Sequence, residues 1–353
     1  MLKEDLTLLT DLLNTPGVVG FEEPIRSFIK KEVQKYTDDV RIDSLGNLTA
    51  IVKGNKGVST TLFMAHMDEL GLVVSAIDKK GYLSFQKLGG IDDRILPSRI
   101  VRVLTDKGEV TGIIGLKPPH LTIEPQEREK TTPFHQLKID VGVKTREEAV
   151  ALGIKIGTPM VFTKELSFFN RDDLICCRGI DDRLGCYTLI KLLHNFKEHP
   201  PENTVVLAFT TEEEIGLRGA MVLGPQFNPD ITIACDSISS PDFPGVASMY
   251  EGSFEVGGGP TLRIVDNRMV AGKELINFME KIASRVGVTL QYGVSGGSTD
   301  ASAVETAYKG YQAIPVCFPV RYTHSTVEIA SLKDIDGLIK LYTAVTQETI
   351  DLT

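Results

Sequence analysis

The sequence predicts an α/β fold, a mixed and mainly parallel sheet flanked by helices, with a small β-barrel-like module inserted into it. Three observations carry this. From Asp182 onward helical and strand patterns alternate, which is the mark of a mainly parallel sheet. Between about Leu70 and Lys164 the texture changes to short β-branched runs punctuated by Gly, Pro and Asp, which suits a small barrel or sandwich. The helices and strands that open the chain cannot complete a core alone, so they belong with the later alternation. At 353 residues the chain also exceeds the usual single-domain size. The expected division is an α/β domain over residues 1–69 and 165–353, interrupted by a β domain over 70–164.

In chain order, Lys3 to Leu13 and Glu22 to Tyr36 carry apolar residues at helical spacing, separated by the turn sequence Asn14-Thr-Pro-Gly-Val. Asn47 to Val52 and Thr60 to Ala65 read as strands, the second apolar enough to be central and covered on both faces. The runs GLVVSAI, YLSFQKL, RIVRVLT, EVTGIIG and LKIDVGV make up the β module. A helix from Asp182 to Phe196 follows, then strands Thr204 to Thr210 and Ile231 to Asp236. Helix Gly272 to Val286, strand Ala313 to Phe318 and helix Leu332 to Thr349 complete the pattern. Between the last two helices Ser295-Gly-Gly-Ser-Thr-Asp-Ala lacks the lysine and spacing of a phosphate loop, and it reads as a turn with Thr299 or Asp300 capping a helix.

Composition narrows the partners. The net charge of −9 is spread along the chain and gathers into no basic stripe, which disfavours a nucleic-acid partner. No apolar run approaches the length of a membrane span, and the acid-interrupted start MLKEDLTLLTDLLNT does not resemble a signal peptide. The five cysteines, Cys176, Cys177, Cys186, Cys235 and Cys317, are odd in number and lack CxxC spacing. That argues for reduced thiols in a cytoplasmic protein rather than a disulfide framework or a cysteine zinc site.

The chemistry is concentrated in acids and histidines at the ends of apolar runs. His66 closes the strand Thr60 to Ala65 and begins His-Met-Asp-Glu, with Asp68 two residues on. TVVLAFT runs into Glu212-Glu213-Glu214, ITIACD ends at Asp236, LICCRGI leads to Asp181-Asp182, and AIPVCFPVRYTH reaches His324. In α/β sheets ligands gather at the carboxyl ends of strands. Taken singly, each feature has an ordinary structural role: acids at a helix start, an N-cap, a hydrogen-bonded histidine. Their joint recurrence does not, because adjacent buried carboxylates repel one another unless cations compensate them. Mixed His and carboxylate donors suit zinc, cobalt or manganese better than calcium. Two histidines and three carboxylates exceed one tetrahedral catalytic zinc with an open position, and a bridging aspartate would divide them between two ions.

The motifs Ala65-His-Met-Asp-Glu-Leu-Gly71, Gly179-Ile-Asp-Asp-Arg183, Glu212-Glu-Glu-Ile-Gly-Leu-Arg-Gly-Ala220, Cys235-Asp236 and Tyr322-Thr-His-Ser325 together resemble the TET-type aminopeptidases, the family of bacterial glutamyl aminopeptidases and archaeal tetrahedral peptidases. Asp43-Ser-Leu-Gly-Asn, Lys117-Pro-Pro-His and Gly296-Gly-Ser-Thr-Asp-Ala extend the resemblance over essentially the whole chain. It implies a metallo-aminopeptidase acting on short peptides with two divalent ions, Zn2+ or Co2+ and alternatively Mn2+. His66 and Asp236 would hold one ion, Glu214 and His324 the other, with Asp181 bridging. Asp68 would orient the His66 imidazole. Glu213 would be the general base, an assignment made by aligning backward from Ile215-Gly-Leu-Arg-Gly219. Glu212 would be an extra, solvated acid. The resemblance further implies a cis Asp181–Asp182 peptide, a Gly-rich segment near the active site, and a hollow dodecamer of six dimers joined through the β module.

Two other functions fit the same residues: a deacylase, carboxypeptidase or other hydrolase on this metal scaffold, or a metal-free assembly or regulatory subunit. The second needs a missing ligand, and none is missing. A glycosidase ordinarily uses two metal-free carboxylates, whereas here histidines accompany the acids. Substrate preference would be set by loops such as Ser248 to Arg263 and Arg321-Tyr322, where Arg263 and Arg321 read as surface ion pairs or as acceptors of an acidic side chain.

Overall fold

The computed structural model describes residues 3–122, 129–246, 253–348 and 350. Its larger unit is a 12-stranded mixed sheet. The first strands are β1 (Val40–Ile42), β2 (Leu48–Val52) and β3 (Thr60–His66). The chain then leaves to form a closed barrel of β4 (Gly71–Ile77), β5 (Leu83–Leu88), β6 (Ile100–Thr105), β7 (Gly108–Ile114), β8 (Ile139–Asp140) and β9 (Pro159–Phe162). It returns with β10 (Ser167–Phe168), β11 (Leu174–Cys177), β12 (Thr204–Thr210), β13 (Ile231–Ala234) and β14 (Ser237–Ser239). The sheet is completed by β15 (Thr261–Val265), β16 (Gln291–Val294), β17 (Ala313–Arg321) and β18 (Glu328–Ser331).

Strands β12, β3, β13 and β17 lie side by side and parallel, while β2 and β18 flank them antiparallel. This is why Thr60–His66 and Ala313–Arg321 are almost continuously apolar and buried: a central parallel strand is covered on both faces. One layer of cover comes from α1 (Lys3–Asn14), α2 (Glu23–Val33), α4 (Ile180–Asn195), α6 (Lys273–Val286) and α8 (Leu332–Thr346). The opposite face carries α5 (Leu223–Phe227) and α7 (Asp300–Glu305) over a smaller core that includes Leu62, Met64 and Val206. The barrel, with the short α3 (Arg146–Ala151), has its own core around Val74, Phe85, Val101 and Met160. No helix among the described residues is long and apolar enough to cross a membrane.

Local expectations fail at helix ends. The opening of α7 is not capped by side chains: the Thr299 hydroxyl makes no cap bond, and Asp300 instead accepts from the Thr210 hydroxyl at 2.5 Å. The strand before Asp181 stops at Cys177, and the two aspartates form the irregular first turn of α4.

Where barrel and sheet meet, Glu69 is buried among three cations. Its carboxylate lies 2.6 Å from Lys164 Nζ and 3.4 Å from Arg183, pairs with Arg178, and accepts the Gly17 N–H at 3.1 Å. Burial opposes its charge, but Lys164, Arg178 and Arg183 hold its pKa far below the usual carboxylate range. Arg178 also donates to the Leu70 carbonyl, and Lys164 to Leu13, so one anion fastens both strands that link the barrel to the sheet. Glu69→Gln should therefore destabilise the fold by about 3–5 kcal/mol, the cost of leaving buried charge without its partner. Denaturant unfolding at neutral pH checks this, and a loss within the range of an ordinary surface substitution would contradict it.

Candidate metal centre

Parallel alignment of the central strands brings their carboxyl ends to one edge, and the chemically active side chains follow from it. His66 is the last residue of β3, in register with Thr210 of β12. Glu213 and Glu214 lie on a turn of 3-10 helix just after β12. Asp236 follows β13, His324 stands on the turn after β17, and Asp181 lies in the irregular first turn of α4, which packs on β3. The backbone at Asp181 and Asp182 is not helical, with ψ of 109° and 40°, and the peptide between them is cis, in line with what the resemblance implied.

These groups converge tightly. His66 Nε2 lies 3.1 Å from Asp181 Oδ1 and 3.9 Å from Asp236 Oδ1. His324 Nε2 lies 3.5 Å from both Asp181 Oδ2 and Glu214 Oε2. Donors about 2.0–2.1 Å from one tetrahedral ion stand roughly 3.4 Å apart, so the separations fit ligands facing shared cations. Each imidazole is turned for that task. His66 Nδ1 meets the Asp68 carbonyl and His324 Nδ1 the Gly90 carbonyl, both at 3.1 Å, which puts the proton on Nδ1 and the lone pair on Nε2.

Asp68 differs from expectation in detail. Its main-chain carbonyl is the nearer acceptor for His66, while its carboxylate lies 3.6 Å from that ring. Its two oxygens accept the amides of Glu213 and Glu214 at 3.0 and 3.1 Å, so Asp68 anchors both glutamates. Asp182 also lies within ligand distance of His66 and Asp236. Its oxygens, however, accept the His66 and Gly185 amides at 3.0 and 3.1 Å, which makes it a scaffold for the first histidine. Position 185 has to be glycine, since a Cβ there would sit 2.2 Å from Asp182 Oδ1.

The electrostatics are those of a crowded anionic site. Burial raises the pKa of Glu213 well above its ordinary value, with Asp236 and Glu214 adding to the rise. Burial, helped by Asp181, brings Glu214 and Asp236 each to about 7. Burial disfavours both imidazolium ions, yet the surrounding carboxylates together outweigh it, Asp181 with Asp68 and Glu213 raising His66 well above 6.5, and Asp181 with Glu214 and Glu328 raising His324 to about 10. Without cations the cluster thus retains protons in their place.

Two clefts adjoin this region. One of about 720 Å3, beside the start of α2, includes no histidine. The other, about 670 Å3, is lined by His66, Asp181, Glu213, Glu214, Asp236 and His324, and it is where chemistry can occur. The Gly-rich stretch Ser295–Ser298 forms part of its wall, with Arg263 and Arg268. Arg263 is 4% exposed and so is no surface arginine, whereas Arg321 does make an ion pair, with Asp242 at 2.5 Å. Of the loop from Ser248 to Arg263, residues 248–252 lie outside the described residues.

The profile of the M42 glutamyl aminopeptidase family matches residues 46–341, most of the chain. The chain belongs to the M42 aminopeptidase family. A lysyl aminopeptidase of Pyrococcus furiosus is 32% identical over 98% of this chain and 97% of its own. A PhTET1 structure described as a dodecamer superposes with a TM-score of 0.89 at 37% identity, covering 99% of this chain and 100% of the other. A Pyrococcus horikoshii TET1 peptidase, reported to assemble into a tetrahedron or a large octahedral shell, gives 0.89 at 37% identity over 98% and 100%. This M42 enzyme is accordingly an aminopeptidase, of a metal-dependent family, and it carries a cluster of suitable ligands.

Sequence reasoning missed Glu328 and Asp300. Glu328 is 2% exposed and accepts the amides of His324 and Asp181; Asp300 is 3% exposed and has one oxygen without a partner. The available signal was an acid inside an otherwise apolar run, as in Thr-Val-Glu-Ile-Ala.

The raised pKa values give the M42 enzyme a pH signature. A metal-free fold that binds protons more tightly than the unfolded chain loses stability as pH rises. For Glu214 and Asp236 that loss runs from their ordinary values up to about 7, and for His324 from 6.5 to about 10. Metal requires deprotonated ligands, so its affinity rises over the same range. The Tm gain on adding Zn2+ or Co2+ should therefore grow from about pH 5 to about pH 9. Calorimetry with and without metal measures it, and a gain independent of pH would remove these side chains from the metal site.

Proposed function

We propose that this M42 aminopeptidase releases N-terminal residues from short peptides with two divalent cations, Zn2+ or Co2+ and alternatively Mn2+. The observation that carries the reading is Asp181, which turns Oδ1 to His66 and Oδ2 to His324, as a bridging carboxylate does. Asp236 completes the His66 side and Glu214 the His324 side. Cations held there would polarise the scissile carbonyl and lower the pKa of the attacking water. Glu213, on the cleft wall and not needed as a ligand, takes the proton from that water and returns it to the leaving amine. Burial raises its pKa, which suits a carboxyl that must hold a proton between the two steps. Asp68 serves the reaction indirectly, by fixing the backbone of Glu213 and Glu214.

Glu213→Gln should lower kcat by about 10²–10⁴-fold with both metals retained, since it removes a base and no ligand. Glu214→Gln should instead deplete one metal. Activity assays on chromogenic aminoacyl substrates with elemental analysis separate the two, and exchanged phenotypes would shift the glutamate roles by one position.

The proposal extends to a cytoplasmic dodecamer of six dimers, as its TET relatives suggest, with residues 70–164 as the contact module. The odd number of cysteines supports a reducing compartment. Ile100 and Ile113, paired across β6 and β7, are 47% and 50% exposed and offer the barrel an apolar face. Enclosure would admit short unfolded peptides and exclude folded proteins. Size-exclusion with light scattering should show about twelve subunits, falling to dimers on chelation because ligand binding favours the ordered assembly. A monomer under both conditions would refute it.

A further inference from the structure

Glu328 opens β18 four residues after His324, and its two carboxylate oxygens serve two different backbones. Oε1 accepts the His324 N–H at 2.9 Å and Oε2 the Asp181 N–H at 3.3 Å. The same two residues meet again through their side chains, His324 Nε2 lying 3.5 Å from Asp181 Oδ2. Glu328 thus closes a ring that sets the distance between one histidine ligand and the bridging aspartate.

The backbone needs such a tie. His324 has φ of 62° and Tyr322 of 60°, left-handed values that side chains other than glycine adopt only when surroundings hold them. Chemistry also explains why a carboxylate stands here. A glutamine has one acceptor oxygen, and its NH2 would face the second amide donor. The His66 side is held by other groups: Asp182 accepts its N–H and the Asp68 carbonyl meets its Nδ1.

We infer that Glu328 is a positioning residue for one half of the cation pair, fixing His324 against Asp181, while the His66 half is positioned independently of it. This rests on the two-cation reading above. Its effect should appear in metal affinity before catalysis, and at one ion only.

The test is stepwise Co2+ binding to the full-length protein in competition with a chelator, read by elemental analysis and by the visible absorption of Co2+. The unmodified protein should take up two ions. In Glu328→Gln one ion should bind about 10- to 100-fold more weakly, the usual effect of losing a group that orients a ligand, while the other keeps its affinity. Glu328→Asp, with two acceptor oxygens on a shorter arm, should retain more of that affinity. In a His324→Ala background Glu328→Gln should add nothing further. Equal weakening of both ions, no weakening, or additive losses in the double variant would overturn the inference. If Glu328→Gln is not recovered folded, the same comparison is decided on Glu328→Asp, where selective loss supports the idea and uniform or absent loss defeats it. Fewer than two ions on the unmodified protein would instead overturn the two-cation reading itself.

Discussion

Several carboxylates buried at one edge of a parallel sheet repel one another, and only cations or bound protons relieve them. That constraint organises the surroundings of the site. The acids that support the ligands are satisfied by main-chain amides: Asp68 by Glu213 and Glu214, Asp182 by His66 and Gly185, Glu328 by Asp181 and His324. One residue beyond Asp68 the chemistry inverts, and Glu69 is surrounded by Lys164, Arg178 and Arg183. Adjacent residues of an extended segment point to opposite sides, so a single step along the chain separates the anionic cluster from the lysine and arginines that fasten the domains. On the cleft side stand Arg263, which lowers the pKa of Asp236 against burial, and Arg268.

The segments that carry ligands are correspondingly irregular. Left-handed backbone occurs at Glu212, Leu217, Tyr322 and His324, on the loops that follow β12 and β17. The 3-10 turn of Glu213 and Glu214, held by Asp68, keeps them at the cleft, with Glu213 buried while Glu214 faces His324.

The parts of this arrangement that depend on pattern were legible in the sequence. Apolar runs such as Thr60–His66 and Thr204–Thr210 announce central strands because burial on both faces leaves no room for polar alternation. Their ends announce a polar cluster because His66 and the glutamate triplet, following such runs together, are brought to one edge of the sheet. What could not be read depends on contacts between distant segments. Glu328 and Asp181 are separated by 147 positions, and nothing local says that their groups meet. Thr299 and Asp300 look like an N-cap, yet the neighbouring Thr210 hydroxyl claims the aspartate. Arg263 looks like a surface residue until β15 is found against β17 at the cleft wall.

The barrel is also more than an appendage. His324 obtains its tautomer from the carbonyl of Gly90, which follows β5, and a Cβ at that position would lie 3.1 Å from Nδ1 of the ring. The far side of the cluster, at Glu69, is tied to Lys164 just past β9. The barrel therefore meets the cluster's segments at two places: its β5–β6 loop contacts His324, and both of its ends are gathered in the buried ion cluster at Glu69. A force that shifts the barrel, such as its packing against another subunit in the proposed particle, changes the hydrogen bond that orients His324. A cation held by His324 would, in turn, fix that ring and through it the β5–β6 loop of the barrel. Coupling of this kind is reciprocal by thermodynamic necessity, so assembly that strengthens metal binding must itself be strengthened by metal to the same extent.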